Sequence, residues 1–295
     1  MNYKKSTGEK VFSAFNLFFL CLFGLICVYP IVYILAVSFS GSLAVMEGRV
    51  WLYPVDFHLK AYEIVFSNNI LRAYLNTLLY TVIGTGFNLA AITCAAYPLS
   101  KKRLRGRSGF SLYFVFTILF SGGMVPNFLL IQKLGFYDTI WAVTVPGAVS
   151  VFYMIILRTN FEQIPDALEE AAIIDGMNDL QILFRIFIPL SLPIYAALIL
   201  FFAVGHWNSF FDAFIYLQTK SRYPLQVILK EIVTANTLND LGNSAVGQSA
   251  METTELVGEN LKCATIIVVM LPVMMVYPFV QKYFVKGMMI GAVKG

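Results

Sequence analysis

Six stretches of 19 or more residues carry no Asp, Glu, Lys or Arg: 11–46, 73–100, 108–132, 139–157, 186–211 and 263–281. Each is long enough to cross a hydrocarbon core, which takes roughly 20 residues at a rise of about 1.5 Å. A backbone in lipid must pair its own N–H and C=O groups, so such stretches fold as helices rather than as open sheet. A soluble core rarely supplies six of them, and a composition of 58% apolar against 13% charged residues agrees with a membrane class. The expectation is an all-α, polytopic membrane protein with six transmembrane helices, over about 11–39, 73–100, 108–132, 139–158, 187–217 and 263–284. Residues 1–295 then form a single transmembrane domain, with no room for a second globular one.

The first apolar run follows Lys4, Lys5 and Lys10, as a secretory signal would. It is far longer than the roughly 7–15 residues of a signal's apolar region, and Ala36-Val37-Ser38 is a weak cleavage match, so it reads as a retained span. Orientation follows from Lys and Arg beside the spans. With the amino terminus inside, the inner face holds 13 of the 21 basic residues. The dense block Lys101, Lys102, Arg103, Arg105 and Arg107 is the strongest determinant. Such a block can also be a nucleic-acid patch, but next to a span a topology signal is the commoner meaning. Both termini are therefore expected in the cytoplasm. Cys21, Cys27, Cys94 and Cys263 lie in or at the ends of spans without metal-ligand spacing, which indicates neither a disulfide framework nor a zinc site.

Between spans, residues 161–189 read FEQIPDALEEAAIIDGMNDLQILFRIFIP, a charged hairpin among apolar neighbours. Pro165 suits a first helical position, and Asp166, Glu169 and Glu170 crowd the N-terminal half, where the helix dipole favours anions. Leu168, Ala171 and Ala172 fall at i, i+3 and i+4, one face of a short helix on which small alanines permit close approach. Gly176 suits the left-handed residue that ends a helix, and Asn178 with Gln181 caps a second one running to Pro189.

The spacing Glu170-Ala171-Ala172, three residues, Gly176, nine residues, Ile186, one residue, Ile188, Pro189 resembles the coupling-loop signature of ABC importer permeases, with Ile188 in place of the usual Leu. The resemblance implies a cytoplasmic coupling helix seated in an ATPase cleft, with Leu168, Glu169, Glu170, Ala171, Ala172, Asp175 and Gly176 as its contact residues. It also implies alternating access driven by closure of the ATPases. This chain would bind no cofactor, ATP and Mg belonging to the ATPase subunits. The implied partners are a second, different permease, an ATPase dimer and an extracytoplasmic sugar-binding protein, in the lipid of a bacterial cytoplasmic (inner) membrane. No nucleic acid is implied.

The late part of the fifth run holds His206-Trp207-Asn208-Ser209 and then Asp212. Ionisable groups at membrane depth are functional candidates, and an indole that stacks beside an amide that bonds hydroxyls suits a sugar. An interfacial aromatic belt is the plainer alternative. Trp207, Asn208, Asp212, Asn76 and Asn127 are the substrate-path candidates; Asn76, Asn88 and Asn127 can equally tie helices together. Ser121-Gly122-Gly123 marks a break in the third span. The outer loop, about 218–261, carries Tyr223, Pro224 and Gln226, which by resemblance face the binding protein. The loop over 40–71, with Trp51, Tyr53 and Tyr62, is expected on the same side.

The Trp-Asn pair narrows the resemblance to carbohydrate-uptake permeases of the maltose and alginate type, near the branch that handles oligosaccharides derived from polysaccharides. An amino-acid or peptide ABC permease, or a secondary transporter, is the alternative. No catalytic or metal site is expected. The two histidines, His58 and His206, form no H-E-x-x-H motif, and G-x-x-x-x-G-K-[ST] is absent.

Overall fold

The computed structural model describes residues 7–67, 70–242, 259–275 and 278. The outer-loop portion 243–258 and the carboxyl-terminal Gly-Ala-Val-Lys-Gly lie outside these residues. Every regular element among the described residues is helical. By internal contacts the chain divides into two units, 1–70 with 229–271 and 71–228 with 272–295.

The first unit begins with α1 (Thr7–Ser38), a 32-residue helix with Pro30 inside it, buried only at Ala36, Val37 and Ser38. Its remaining apolar surface, from Val11 and Phe12 through Phe23 and Ile26, is exposed. An apolar helix longer than the roughly 30 Å of a hydrocarbon core belongs in lipid or against other spans. Two short helices follow, α2 (Ser42–Met46) and α3 (Lys60–Ser67). Their loop is folded tightly onto the end of α1. Ser40 Oγ donates to Ala36 O at 2.6 Å and accepts from Val55 N at 3.1 Å, while Phe39 stacks on Phe57 and Tyr62. Trp51 and Tyr53 are exposed, and the Tyr62 hydroxyl bonds Ser38 at 2.9 Å. A helix over 259–275 adds Cys263 to the cluster of Ala36, Val37, Ala44 and Val50.

The second unit takes in most of α4 (Ile70–Ser100), the other helix that by itself is long and apolar enough to cross a membrane. Next come α5 (Arg107–Leu119), α6 (Met124–Lys133), α7 (Trp141–Thr144), α8 (Val151–Glu162), α9 (Asp166–Ile174) and α10 (Asp179–Ile182). A π-helical turn over Leu183–Phe187 leads to α11 (Ile188–Leu190), α12 (Leu192–Trp207), α13 (Phe211–Tyr216), a 3-10 turn at Lys220–Arg222 and the start of α14 (Leu225–Gly242), whose residues from 229 on count with the first unit. The core joins Ile92, Ala96 and Tyr97 of α4 to Leu157 and Phe161 of α8, Ala172 of α9, Phe187, and Leu198 of α12. The rings of Tyr97, Phe161 and Phe187 meet edge to face at 5.2–6.2 Å, the arrangement their quadrupoles favour.

Apolar runs that read as continuous in sequence are bent or broken here. Among the described residues, two helices qualify as spans outright, and up to four do if each bent pair counts as one. The 108–132 run bends by 114° between α5 and α6, at the Gly122-Gly123 break anticipated from sequence. The 139–158 run is helical only as α7 and part of α8, parted by Pro146-Gly147 with Gly147 at φ +73°. The run over 187–217 differs most. Its long helix starts at Leu192, three residues beyond Pro189, after an 83° bend, and it stops at Trp207. Pro189 and Pro193 each lack an N–H and crowd the carbonyl four residues earlier. The chain accommodates them by widening into the π turn and breaking at Ser191.

Broken helices leave carbonyls that lipid cannot satisfy. Asn88 of α4 answers one such break: its Nδ2 donates to Gly147 O at 3.3 Å and Ala148 O at 3.2 Å. Its Oδ1 lies 2.8 Å from His206 Nε2 of α12, so one amide ties three segments. The imidazole reaches it only because Gly84 has no side chain. A Cβ there would sit 2.5 Å from the His206 ring. Gly84→Ala should therefore lower the thermal midpoint of the purified protein, overpacking costing about 1–3 kcal/mol, and adding His206→Ala should restore most of it. Equal midpoints for wild type and Gly84→Ala would refute the close packing.

Candidate functional site

The hairpin after α8 is a preformed, outward-facing helix. Pro165 is its N-cap rather than its first helical residue, with ψ at 133°, and Asp166 and Glu169 occupy the first turn of α9. The far end closes as the sequence requires. Gly176 lies at φ +80°, Met177 N donates to Ala172 O at 2.9 Å and Gly176 N donates to Ile173 O at 3.0 Å. The left-handed turn leads into the Asn178–Gln181 capping box, both bonds at 2.9 Å.

The seven hairpin candidates divide between two faces. Leu168, Glu170, Ala171, Asp175 and Gly176 are exposed. Ala172 is buried in the core, so the face expected for Leu168, Ala171 and Ala172 is shared between core and surface. Glu169 also points inward. Ile173 and Ile174, not singled out from sequence, join the exposed face, and Ile174 is 85% exposed. The signal was available: an isoleucine pair next to Asp175-Gly176, where a short helix ends, has little to bury against.

Glu169 meets the basic block. Lys101 Nζ donates to Glu169 Oε2 at 2.6 Å, with side-chain exposures of only 9% and 16%. Arg103 approaches the other carboxylate oxygen at 3.4 Å and also pairs with Asp179. Lys102 reaches Asp166 at 3.0 Å in the open. Arg107 and Arg158 share Glu162, and Arg107 Nε donates to Leu99 O at 2.8 Å. The Lys101 ammonium also lies over the rings of Phe187 at 3.6 Å and Tyr97 at 4.4 Å. Burial pushes the pKa of this lysine down, and the hydrogen bond and charge of Glu169 partly oppose the shift. A cleft of about 530 Å³ opens between the block and α9, bordered by Lys102, Arg107, Glu162, Asp166 and Glu170 among others.

At the far end of α4 the candidates for substrate path and binding-protein contact, separate in sequence, come together. Asn76 Nδ2 donates to Ser221 O and Tyr223 O at 2.9 and 3.1 Å. Thr77 Oγ1 accepts from Leu225 N at 2.8 Å, and the Tyr80 hydroxyl donates to Arg222 O at 2.8 Å. Asn208 is exposed, and its Oδ1 accepts from Gln226 Nε2 at 3.2 Å. Trp207 is buried edge-on to Tyr74, at 5.6 Å between ring centroids. Asp212 is half-buried, Pro224 is buried and Asn127 is exposed on α6.

Sequence reasoning passed over Asp138, which organises the same end. At φ +53°, it accepts from Gln218 N and Thr219 N at 3.0 and 3.1 Å through Oδ1. Its Oδ2 takes the Thr219 hydroxyl at 2.6 Å and Arg222 at 3.1 Å. Neither its positive φ, which Asp56 shares, nor its bonds to residues 80 or more positions away can be read in a sequence.

No family model matches the sequence. The chain is 42% identical to the polygalacturonan/rhamnogalacturonan transport system permease protein YtcP of Bacillus subtilis (strain 168), over 94% of this chain and 96% of that one. It is 39% identical to protein LplC of the same organism, over 97% and 96%. Among solved structures, it superposes with a TM-score of 0.85 and 38% identity on a chain of a bacterial ABC transporter involved in the import of the acidic polysaccharide alginate, covering 96% of this chain and all of that one. The chain belongs to the ABC transporter permease family that these relatives represent.

The Asp138 contacts predict a pH dependence. Partial burial works to raise this carboxyl's pKa, but the Thr219 hydroxyl and amide, the Gln218 amide and Arg222 outweigh it and hold the pKa below the usual carboxylate range. A depressed carboxylate pKa contributes stability that is complete above the unfolded value of about 3.9 and is lost as pH falls through the folded value. Asp138→Ala should lower the thermal midpoint near neutral pH, by a loss of about 1–3 kcal/mol, and its gap from wild type should close below about pH 4. A gap that persisted in acid would exclude the ionised carboxylate as its source.

Proposed function

We propose that this chain is the transmembrane permease subunit of an ATP-driven importer, forming half of the translocation path for oligosaccharides derived from polysaccharides. The observation that carries the reading is α9: a helix closed at its far end by the Gly176 turn, whose outer face presents Leu168, Glu170, Ala171 and Ile174, all exposed among the described residues. A short, rigid helix that exposes leucine and isoleucine beside carboxylates has the chemistry of a docking element. In this reading it is the cytoplasmic coupling helix, seated on one subunit of an ATPase dimer. ATP and Mg bind there, and this chain carries no catalytic site.

Six spans in the inner membrane, both termini in the cytoplasm, a second and different permease, and an extracytoplasmic sugar-binding protein complete the assembly. The bent pairs α5–α6 and α11–α12 then each act as one crossing. The binding protein meets the end of the chain where Tyr223 and Gln226 lie. Asn208 and Asp212 line the path, and Trp207 supports it through its contact with Tyr74. The sugar class draws on the relatives' names, which include a polygalacturonan/rhamnogalacturonan system and an alginate importer.

The test is reconstitution with the ATPase, the partner permease and the binding protein. Oligogalacturonides and neutral oligosaccharides, but not amino acids or peptides, should stimulate ATP hydrolysis and enter vesicles. Glu170→Lys and Gly176→Leu should insert normally yet lose ATPase capture and transport, the latter because a branched side chain at positive φ is strained. Capture of the ATPase at wild-type strength by both variants would remove α9 from the docking role.

Orientation is checked separately. A cysteine replacing Arg105 should resist a membrane-impermeant thiol reagent in intact cells, and one replacing Lys220 should react. The reverse labelling would invert the assignment.

A further inference from the structure

We propose that Lys101 is a positioning residue that locks α9 to the cytoplasmic end of α4 and to the turn leading into α12, so that the three move as one body when the ATPases push on the hairpin. The proposal rests on the reading of α9 as the ATPase-facing helix. Its own basis is a set of contacts that reading does not use.

Three segments meet at one ammonium. Lys101 follows the last residue of α4 and lies over Tyr97 of that helix at 4.4 Å. It lies over Phe187, in the π turn before α12, at 3.6 Å, and it donates to Glu169 of α9 at 2.6 Å. Tyr97 and Phe187 also contact each other and Phe161, so the rings and the charge form a continuous packed unit. Exposed ion pairs slide apart at little cost, because water solvates each partner. Lys101 and Glu169 lack that exchange: both are largely buried, and separating them would leave the Lys101 ammonium without its counter-charge away from water. The lowest-cost response to a displacement of α9 is for its partners to travel with it.

Compliance lies elsewhere. The 83° bend at Ser191 stands between the locked unit and the long part of α12. Lys102–Asp166 and Arg103–Asp179 surround the lock but are exposed on both sides, and they can exchange with water during movement. Arg103 gives Glu169 a second positive neighbour at 3.4 Å. The basic block thus has a mechanical role in addition to marking the cytoplasmic side.

The experiment uses the full transporter in proteoliposomes. Lys101→Met, which keeps length and removes charge, should leave the ATPase subunit copurifying but lose the rise in hydrolysis that binding protein and sugar produce, together with most transport per ATP. Lys101→Arg should retain both. Normal transport per ATP in Lys101→Met would overturn the proposal.

Where Lys101→Met fails to assemble, a cross-link decides. In a chain whose four native cysteines are replaced, Lys101→Cys and Glu169→Cys are joined by a thiol-reactive linker about as long as the two lost side chains. If α4 and α9 move together, the linked transporter regains the transport that the unlinked pair lost. If linking blocks transport and cleaving the linker restores it, the helices move relative to each other and the lock is refuted. ATPase capture that Glu170→Lys fails to weaken would remove the docking reading itself, and the lock with it.

Discussion

A single buried ammonium organises the hairpin end of this protein. Lysine is strongly hydrated, and taking it out of water is costly unless a counter-charge and polarisable faces replace the solvent. Here Glu169 supplies the charge and the Tyr97 and Phe187 rings supply the faces. Each belongs to a different stretch of chain, so satisfying one lysine fixes the mutual placement of α4, α9 and the π turn. The orientation of α9 follows. With Glu169 and Ala172 committed inward, the other seven positions of the nine-residue helix, Leu168, Glu170, Ala171 and Ile174 among them, face out.

A second constraint acts within the spans. Prolines and glycines break the apolar runs, and every break frees backbone groups that hydrocarbon cannot pair. The chain answers the Pro146-Gly147 break with a side chain carried on α4, Asn88, which holds the carbonyls of Gly147 and Ala148; Asn76 of the same helix ties the loop carbonyls of Ser221 and Tyr223, and Thr77 receives the amide of Leu225. α4 is therefore both a candidate span and a row of polar ties. Asn76 and Asn88 illustrate why an asparagine in a span is ambiguous on sequence alone. The same amide that would bond a sugar hydroxyl serves equally well to cap a broken helix, and only the neighbouring carbonyls distinguish the two.

The outer-loop candidates show the same division. Tyr223, Pro224 and Gln226 were legible as a group because they lie within one short stretch, yet the association of Tyr223 with Asn76 and of Gln226 with Asn208 depends on chain segments up to 147 residues apart. Trp207 was legible as an unusual residue but not as a buried one. Adjacent helical positions differ by about 100°, so Trp207 and Asn208 take opposite environments, one against Tyr74 and the other in the open.

What the sequence by itself determined is local. Runs without charge fixed the membrane class, because backbone pairing in lipid leaves helices as the solution for stretches of that length. Gly176 and the Asn178–Gln181 box fixed where the hairpin helices end, because a cap is a bond between residues three apart. Tertiary structure decided what depends on distance. Lys101 and Glu169 stand 68 residues apart, and the ligands of Asp138 lie 80 to 84 residues beyond it. A basic block reads in sequence as charge, and which carboxylate it meets, how deeply, and against which rings is set by the packing of helices that no local pattern encodes. The bends belong to both levels: proline and glycine announce that a helix is interrupted, while the 83° and 114° that result come from what each half packs against.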